Sequence, residues 1–368
     1  MSRVYPTCLT KDYLSRWSVP NAVCELVQNK LDLGEGNYSF SRYGGEIGME
    51  SYSGTIDPKN LLLGVGSKSS NETSRGGFSE GLLLSLLILA REDVNITFIN
   101  GYKQWVPTFD WNEDYGCETL YIVEEDAEEP FEGGVRVTLE LDESVADEIE
   151  LNTLQMQQSY KHHYTDQGTI LLEPKHRGRI YVGGLFVDNF NSEYGFDFPP
   201  EHFELDRDRK SLKPFDIQWQ IRMLIDEMLN QEVEEDLSDR LVSSMERGDK
   251  SVQYVEESRI DRNESFVKSA EKLYKEKYDG KILTSDYDEA EKLKEAGNKN
   301  VTYCNNSSFV KLVQKSESHQ VVFGARKEIV EVSTEDLLDN FESAWQNMMD
   351  TDMYEAWREL SDEIKSRM

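Results

Sequence analysis

Apolar positions recur at helical spacing from about residue 10 to 33, where Ala22, Val23, Leu26, Val27 and Leu31 share one face. Residues 37–56 alternate instead around Gly44-Gly45, which predicts a hairpin. Pro58 opens a short helix, and residues 65–77 carry no period and predict a loop. Residues 78–91 are apolar on nearly every side, as expected of a buried helix. Strand-like runs follow at Val94–Ile99, Tyr102–Phe109, Thr119–Val123 and Val135–Leu141. Helices followed by several antiparallel-type strands predict an α+β sandwich.

A second unit is expected from Ile170–Leu172, Arg179–Val182 and Leu185–Val187, with Gly183-Gly184 as a tight turn and a long helix from about Phe215 to Arg247. Residues 248–264 are polar and read as a linker. A small α/β module follows: helix 265–278, strand Lys281–Thr284, helix Asp286–Ala296, strand Val301–Tyr303 and helix Ser307–Lys315. The acidic tail, 334–367, predicts one or two helices anchored by Trp345, Met348, Met349 and Trp357.

Charge changes the picture. The 368 residues carry a formal net charge of −31, which argues against unassisted binding to phosphate backbones or anionic membranes. It fits high solubility or a docking surface for a basic protein partner. The stretch Glu124-Glu125-Asp126-Ala127-Glu128-Glu129-Pro130 reads as a solvated loop. Cys8, Cys24, Cys117 and Cys304 are scattered with no CxxC pair, so no zinc signature is present and a reducing, cytoplasmic setting is expected. No signal segment precedes the first helix, and the longest apolar run, Leu82 to Ala90, is too short to span a bilayer.

Four stretches carry candidate chemistry. On a helix, Glu25, Asn29 and Asp32 fall within roughly 60° of one another at 100° per residue. A polar stripe is the ordinary reading; the functional one gives Mg²⁺ the neutral Asn29 carbonyl as a ligand and makes Glu25 the general base, with Asp32 structural. Gly76-Gly77-Phe78-Ser79-Glu80-Gly81 is a glycine-rich turn feeding a helix N-terminus, where backbone N–H groups favour phosphate oxygens and Phe78 anchors the turn. Gly64-Val65-Gly66-Ser67-Lys68-Ser69 lacks P-loop spacing and suits a lid, with Lys68 as a phosphate contact. Asp206-Arg207-Asp208-Arg209-Lys210, with Lys213, is a basic cluster, either salt-bridged or reaching a γ-phosphate.

Together these residues resemble the GHKL superfamily of gyrase B, Hsp90, histidine kinases and MutL. Ala22 to Asp32 resembles its N box, Gly76 to Leu82 its second glycine box, and Leu61 to Lys68 sits where the family has its lid. Gly178 to Val187 and Leu205 to Arg209 are similar to uncharacterised GHKL proteins of phages and mobile elements. The resemblance implies a Bergerat-type ATP-binding domain over 1–155, a transducer-like domain over 156–247, the linker 248–264, the α/β module 265–330 and a helical tail 331–368. It implies ATP and Mg²⁺ as ligands, slow hydrolysis with catalytic Glu25, lid closure coupled to a partner-binding region, and a homodimer on ATP binding. Asn29, Lys68, Gly76, Gly77, Phe78, Ser79, Glu80 and Gly81 would hold the nucleotide, with Arg207, Arg209 and Lys213 near the γ-phosphate.

The chain departs from the pattern at the base end. Where the family carries an adenine-contacting Asp in D-x-G-x-G, this chain has Glu50-Ser51-Tyr52-Ser53-Gly54-Thr55-Ile56. Glu50, Ser51 or Asp57 stands in for the Asp, with Ser51 taken as the contact, and Gly134-Val135 replaces the family's Gly-Thr. The alternative expectation is a non-hydrolysing acidic protein that sequesters a basic or nucleic-acid-binding host protein.

Overall fold

The structure, a computed structural model, describes residues 2–34, 36–62, 80–203, 212–231, 233–252, 263–295, 297–316, 318–319, 338, 341–342, 349 and 351–366. The fold is α+β, and the chain divides into two compact units. Met1–Glu232 with Asp249–Glu256 form the first; Val233–Gly248 with Glu257–Met368 form the second.

In the first unit, seven strands form one antiparallel sheet: β1 (Arg3–Thr10), β2 (Tyr38–Tyr43), β3 (Glu46–Ser51), β4 (Asn95–Asn100), β5 (Lys103–Asn112), β6 (Cys117–Asp126) and β7 (Val135–Glu140). Their order is β1-β6-β5-β4-β7-β3-β2. Alternation decides which side chains face inward: Ile47, Met49 and Ser51 of β3 and Val135, Val137 and Leu139 of β7 are buried. Against them pack α1 (Val19–Leu31), α2 (Gly81–Arg91) and α3 (Glu143–Asn152), which contribute Val23, Leu26, Val27, Leu84, Leu87, Ala146 and Ile149 to one core.

The expected helix from about residue 10 starts at Val19 instead. Ahead of it lies β1, an edge strand that accommodates Pro6 because its outer edge needs no ladder donor. A turn with Leu14 at φ 53° joins the two, and Arg91 fastens it through Leu14 O (3.2 Å) and Trp17 O (2.5 Å). Ser18 N donates to Asn21 Oδ1 at 3.0 Å, which caps α1 where it begins. α2 is described from Gly81, and residues 78 and 79 of the expected helix lie outside the described residues. The acidic stretch is also more ordered than a loop: Glu124 to Asp126 belong to β6, and Glu124 accepts from Trp105 Nε1 at 3.0 Å.

A second, five-stranded sheet in this unit contains β8 (His162–Thr165), β9 (Gly168–Leu171), β10 (Arg179–Val182), β11 (Leu185–Asn189) and β12 (Gly195–Phe198), in the order β11-β10-β12-β9-β8. β10 and β12 run parallel, and the other pairs are antiparallel. Gly183 and Gly184, at φ 59° and 83°, make the β10–β11 turn, a conformation costly for residues with a Cβ. Leu154 N donates to Gly184 O at 2.9 Å, joining the second sheet to the chain leaving α3. The expected helix 215–247 is two helices, α4 (Pro214–Met228) and α5 (Glu235–Arg247). The acidic run Glu234-Glu235-Asp236 favours a new N-terminus, where carboxylates meet the positive end of the helix dipole. The first residues of the expected linker are ordered as well: Asp249 accepts from Glu193 N at 2.8 Å, and Ser192 Oγ donates to Ser251 Oγ at 3.0 Å.

The second unit comprises α5, α6 (Glu264–Lys277), β13 (Ile282–Thr284), α7 (Tyr287–Glu295), β14 (Val301–Tyr303), α8 (Ser307–Lys315) and α9 (Thr351–Ser366). β13 and β14 pair in parallel with α7 as their crossover. Asn263 and Asn306 cap α6 and α8 through their side-chain oxygens. In the tail, Phe341 and Trp357 meet with ring centroids 4.5 Å apart; Trp345 and Met348 lie outside the described residues. No helix among the described residues is long and apolar enough to cross a membrane.

Candidate functional site

α1 lies over the inner face of the sheet, so its polar residues near the edge of the buried stripe border the space between helix and strands. A cavity of about 230 Å³ opens there, just below the ~300–1,000 Å³ common for small-molecule sites. α1 and its exit contribute Leu26, Asn29, Lys30 and Leu33; β3 and the following loop contribute Ser51, Ser53, Gly54, Thr55 and Ile56. Asn60, Leu82, Phe98, Val135 and Val137 complete the lining. Two of the sequence-predicted residues, Asn29 and Ser51, therefore meet at one cavity.

Alternation along β3 selects among the three candidates for the inner contact. Ser51 points inward and is buried. Glu50 lies on the other face of the strand, where its carboxylate accepts from Arg136 Nε (2.8 Å) and Tyr52 Oη (2.9 Å). Against the upward push of burial, those bonds hold the Glu50 carboxyl below its ordinary range. Asp57 caps a 3-10 turn by accepting from Lys59 N at 2.9 Å and is not part of the lining.

Glu25 sits one helical turn before Asn29 and is half-buried. It packs on the first residue of α2: a Cβ at Gly81 would lie 2.4 Å from Glu25 Oε2 and 3.4 Å from Glu25 Cβ. Glycine at 81 thus lets the carboxylate approach the start of a buried helix. Ser85 Oγ, within hydrogen-bond distance of Ala22 O (2.8 Å) and Gly81 O (2.7 Å), clips α2 onto α1 at the same level. Glu80 is the N-cap of α2, with backbone in the right-handed helical region. Lys213, the N-cap of α4, is exposed and does not line the cavity. Lys68, Gly76, Gly77, Phe78, Ser79, Arg207 and Arg209 lie outside the described residues.

Two residues absent from the motif reading shape the site. Lys30 is buried, with 6% of its surface exposed; its Nζ donates to Ser51 Oγ at 2.9 Å and to Val135 O at 3.4 Å. Burial pushes this ammonium down to about 8, with the Glu50 carboxylate acting in opposition. The signal was present in the spacing: Lys30 follows Leu26 by four and Val23 by seven, so it stands on the apolar stripe. Asn100 is the second. Its Oδ1 accepts from Ile56 N and its Nδ2 donates to Ile56 O, both at 2.8 Å, which pins the loop at the rim. No periodic pattern marks that role.

Among the described residues no cluster of three or more His, Cys, Asp or Glu side chains is arranged to hold a metal ion. A divalent ion here would draw few ligands from protein and most from a bound phosphate and water, the usual situation for Mg²⁺. Asn29, a neutral oxygen donor at the cavity edge, fits that role. Comparison of the chain with protein-family models and with curated proteins finds no match.

Proposed function

We propose that the cavity binds a Mg²⁺–nucleoside triphosphate within a Bergerat-type α/β sandwich, and that the protein hydrolyses it slowly. One observation carries this reading. Asn29 and Ser51, drawn from two separate sequence motifs, line one cavity, while Glu25 packs on Gly81, where the third motif opens its helix. The resemblance to GHKL ATPases makes ATP the first nucleotide to test.

The base lies in the inner part of the cavity, against Leu26, Phe98 and Val137, near Ser51. Phosphates extend toward Glu25 and the N-terminus of α2, where free backbone N–H groups and the helix dipole favour anions. Mg²⁺ bound there supplies charge neutralisation across the phosphate oxygens. The Asn29 side-chain oxygen offers a ligand without adding negative charge. Glu25, held beside α2, accepts a proton from the attacking water. With catalysis resting on positioning and charge, turnover is slow and serves to change conformation rather than to supply product. A basic protein is the partner class that an acidic surface would recruit.

Phosphate release by wild type and Glu25→Gln tests the reading. Loss of the general base lowers release by roughly 10²–10⁴-fold. Equal release from both proteins would remove Glu25 from the chemistry. No release from either would leave binding without turnover.

A further inference from the structure

The inner end of the cavity is built from hydrogen-bond donors. Lys30 is buried there, and its ammonium has three N–H groups. One goes to Ser51 Oγ at 2.9 Å and one, less well, to Val135 O at 3.4 Å; the third has no protein partner among the described residues. Because Ser51 Oγ already accepts from Lys30, its own hydrogen is directed elsewhere, and its hydrogen bond to Val135 O is a long 3.5 Å. Val135 O, the carbonyl at this end, is thus approached by both donors. Glu50, the nearest carboxylate to influence Lys30, lies on the other face of β3 and is engaged by Arg136.

The lining also carries the apolar side chains of Leu26, Ile56, Phe98 and Val137, beside the polar ones of Asn29, Ser53, Thr55 and Asn60. The apolar ones suit the flat faces of a ring system, not a polyanion stripped of water. Lys30 is also five residues along α1 from Glu25, roughly 7.5 Å at the helical rise. The donor pair and the phosphate end of the proposed site are thus separate. A purine presents two patterns at its 6-position edge. Adenine pairs an amino donor with the N7 acceptor, whereas guanine offers O6 and N7, both acceptors, and a lysine against O6 and N7 is a favoured contact. An adenine amino group turned to the Lys30 ammonium, which has no acceptor, would set donor against donor, with both desolvated.

We infer that Lys30 and Ser51 read the carbonyl edge of a 6-oxopurine, so that the triphosphate this cavity selects is a guanosine or inosine nucleotide. The inference rests on the reading of the cavity as a nucleotide site. It reverses the base expected from the resemblance, and it assigns Lys30 a specificity role that leaves the hydrolytic roles of Glu25 and Asn29 as they stand.

The test is equilibrium binding of GTP, ITP and ATP to the full chain with Mg²⁺, on wild type, Lys30→Met and Ser51→Asp. ITP shares O6 with GTP and lacks the 2-amino group, so it isolates the carbonyl. Wild type is expected to bind GTP and ITP alike and both roughly ten- to a hundredfold more tightly than ATP. Lys30→Met brings that ratio close to one. Ser51→Asp engages Lys30 in an ion pair, supplies an acceptor, and turns the preference toward ATP. Circular dichroism confirms that each variant is folded, and either variant suffices if the other is not. ATP binding as tightly as GTP to wild type overturns the base assignment while the nucleotide site stands. A GTP preference that survives both substitutions overturns it as well. Failure of all three nucleotides to bind wild type removes the nucleotide site and the base assignment together.

Discussion

Lys30 and His176 are both buried ionisable side chains in the first unit, and their surroundings differ in a way that sets the proposed binding group apart from a packing group. His176 is fully buried under the second sheet. Its Nε2 lies 2.9 Å from Gln157 Oε1, and its ring meets Tyr160 and Tyr181 edge-on, with centroids 5.4 and 5.9 Å away. Burial first, then the Lys175 charge, pushes the imidazole down to about 4, so it is neutral at pH 7 and behaves as an aromatic with one hydrogen bond. Lys30 instead borders a cavity, and burial brings it only to about 8, so it remains mostly charged at pH 7. A buried charge with one donor unspent among the described residues costs stability unless a ligand completes it. A buried neutral ring avoids the cost of a buried charge, although His176 Nδ1 has no hydrogen-bond partner among the described residues.

That contrast can be broken in several places. The largest effect is expected at Glu25, where Glu25→Gln lowers phosphate release by roughly 10²–10⁴-fold. Gly81→Ala should approach it from the other side of the contact. The new Cβ meets the carboxylate end of Glu25, a movable group, so it displaces the base without breaking the core. Phosphate release falls by about tenfold or more, since misplaced catalytic groups are costly, while Tm shifts by only a few degrees. A large fall in Tm would show instead that Gly81 serves packing alone.

Lys30→Met sharpens the comparison through stability. The charged form is disfavoured in the fold, so removing it stabilises the ligand-free protein by on the order of 1–3 kcal/mol at pH 7, read by denaturant unfolding. A destabilised variant would mean that Lys30 is a structural anchor. Asn100→Ala has the opposite sign: two hydrogen bonds to the Ile56 backbone are lost, at about 2 kcal/mol, and the rim of the cavity loosens.

The last effect is a pH dependence, close to nil at neutral pH. His176 has a lower proton affinity folded than unfolded, about 4 against an ordinary 6.5. Between those values the unfolded chain holds more protons, so stability is complete above about 6.5 and declines as pH falls toward 4, by at most about 3 kcal/mol. His176→Phe should flatten that segment of the stability profile, and an unchanged slope would assign it to other groups.

How much of this was legible in the sequence depended on what each element buries. α1, the Gly44-Gly45 hairpin, β4 to β7 and the β13–α7–β14 module carry clear periods because each has one face in a core and one outside. β8 and β12 are only four residues each, too short for a period, and β12 (Gly-Phe-Asp-Phe) offers a single alternation. β1 has no counterpart among the expected elements: Pro6 argues against a central strand, and only the sheet order makes β1 an edge. At the site, Glu25 and Asn29 are legible from their helical spacing, whereas Ser51 enters only through the family resemblance, as one of three stand-ins with Glu50 and Asp57. The burial of Lys30 is legible in its place on the apolar stripe, but its role is not, because that depends on a strand neighbour, Val135, that lies 105 residues away. Asn100 depends likewise on a backbone 44 residues earlier in the chain.

The proposed nucleotide site between α1, α2 and the seven-stranded sheet depends on Mg²⁺. Titration calorimetry of wild type and Asn29→Ala with nucleoside triphosphates, in Mg²⁺ and in EDTA, is the direct test. Wild type is expected to bind saturably in Mg²⁺, with affinity weakened by at least about tenfold in EDTA and in Asn29→Ala. Heats indistinguishable from dilution for every nucleotide, or equal affinity with and without Mg²⁺ and Asn29, would contradict it.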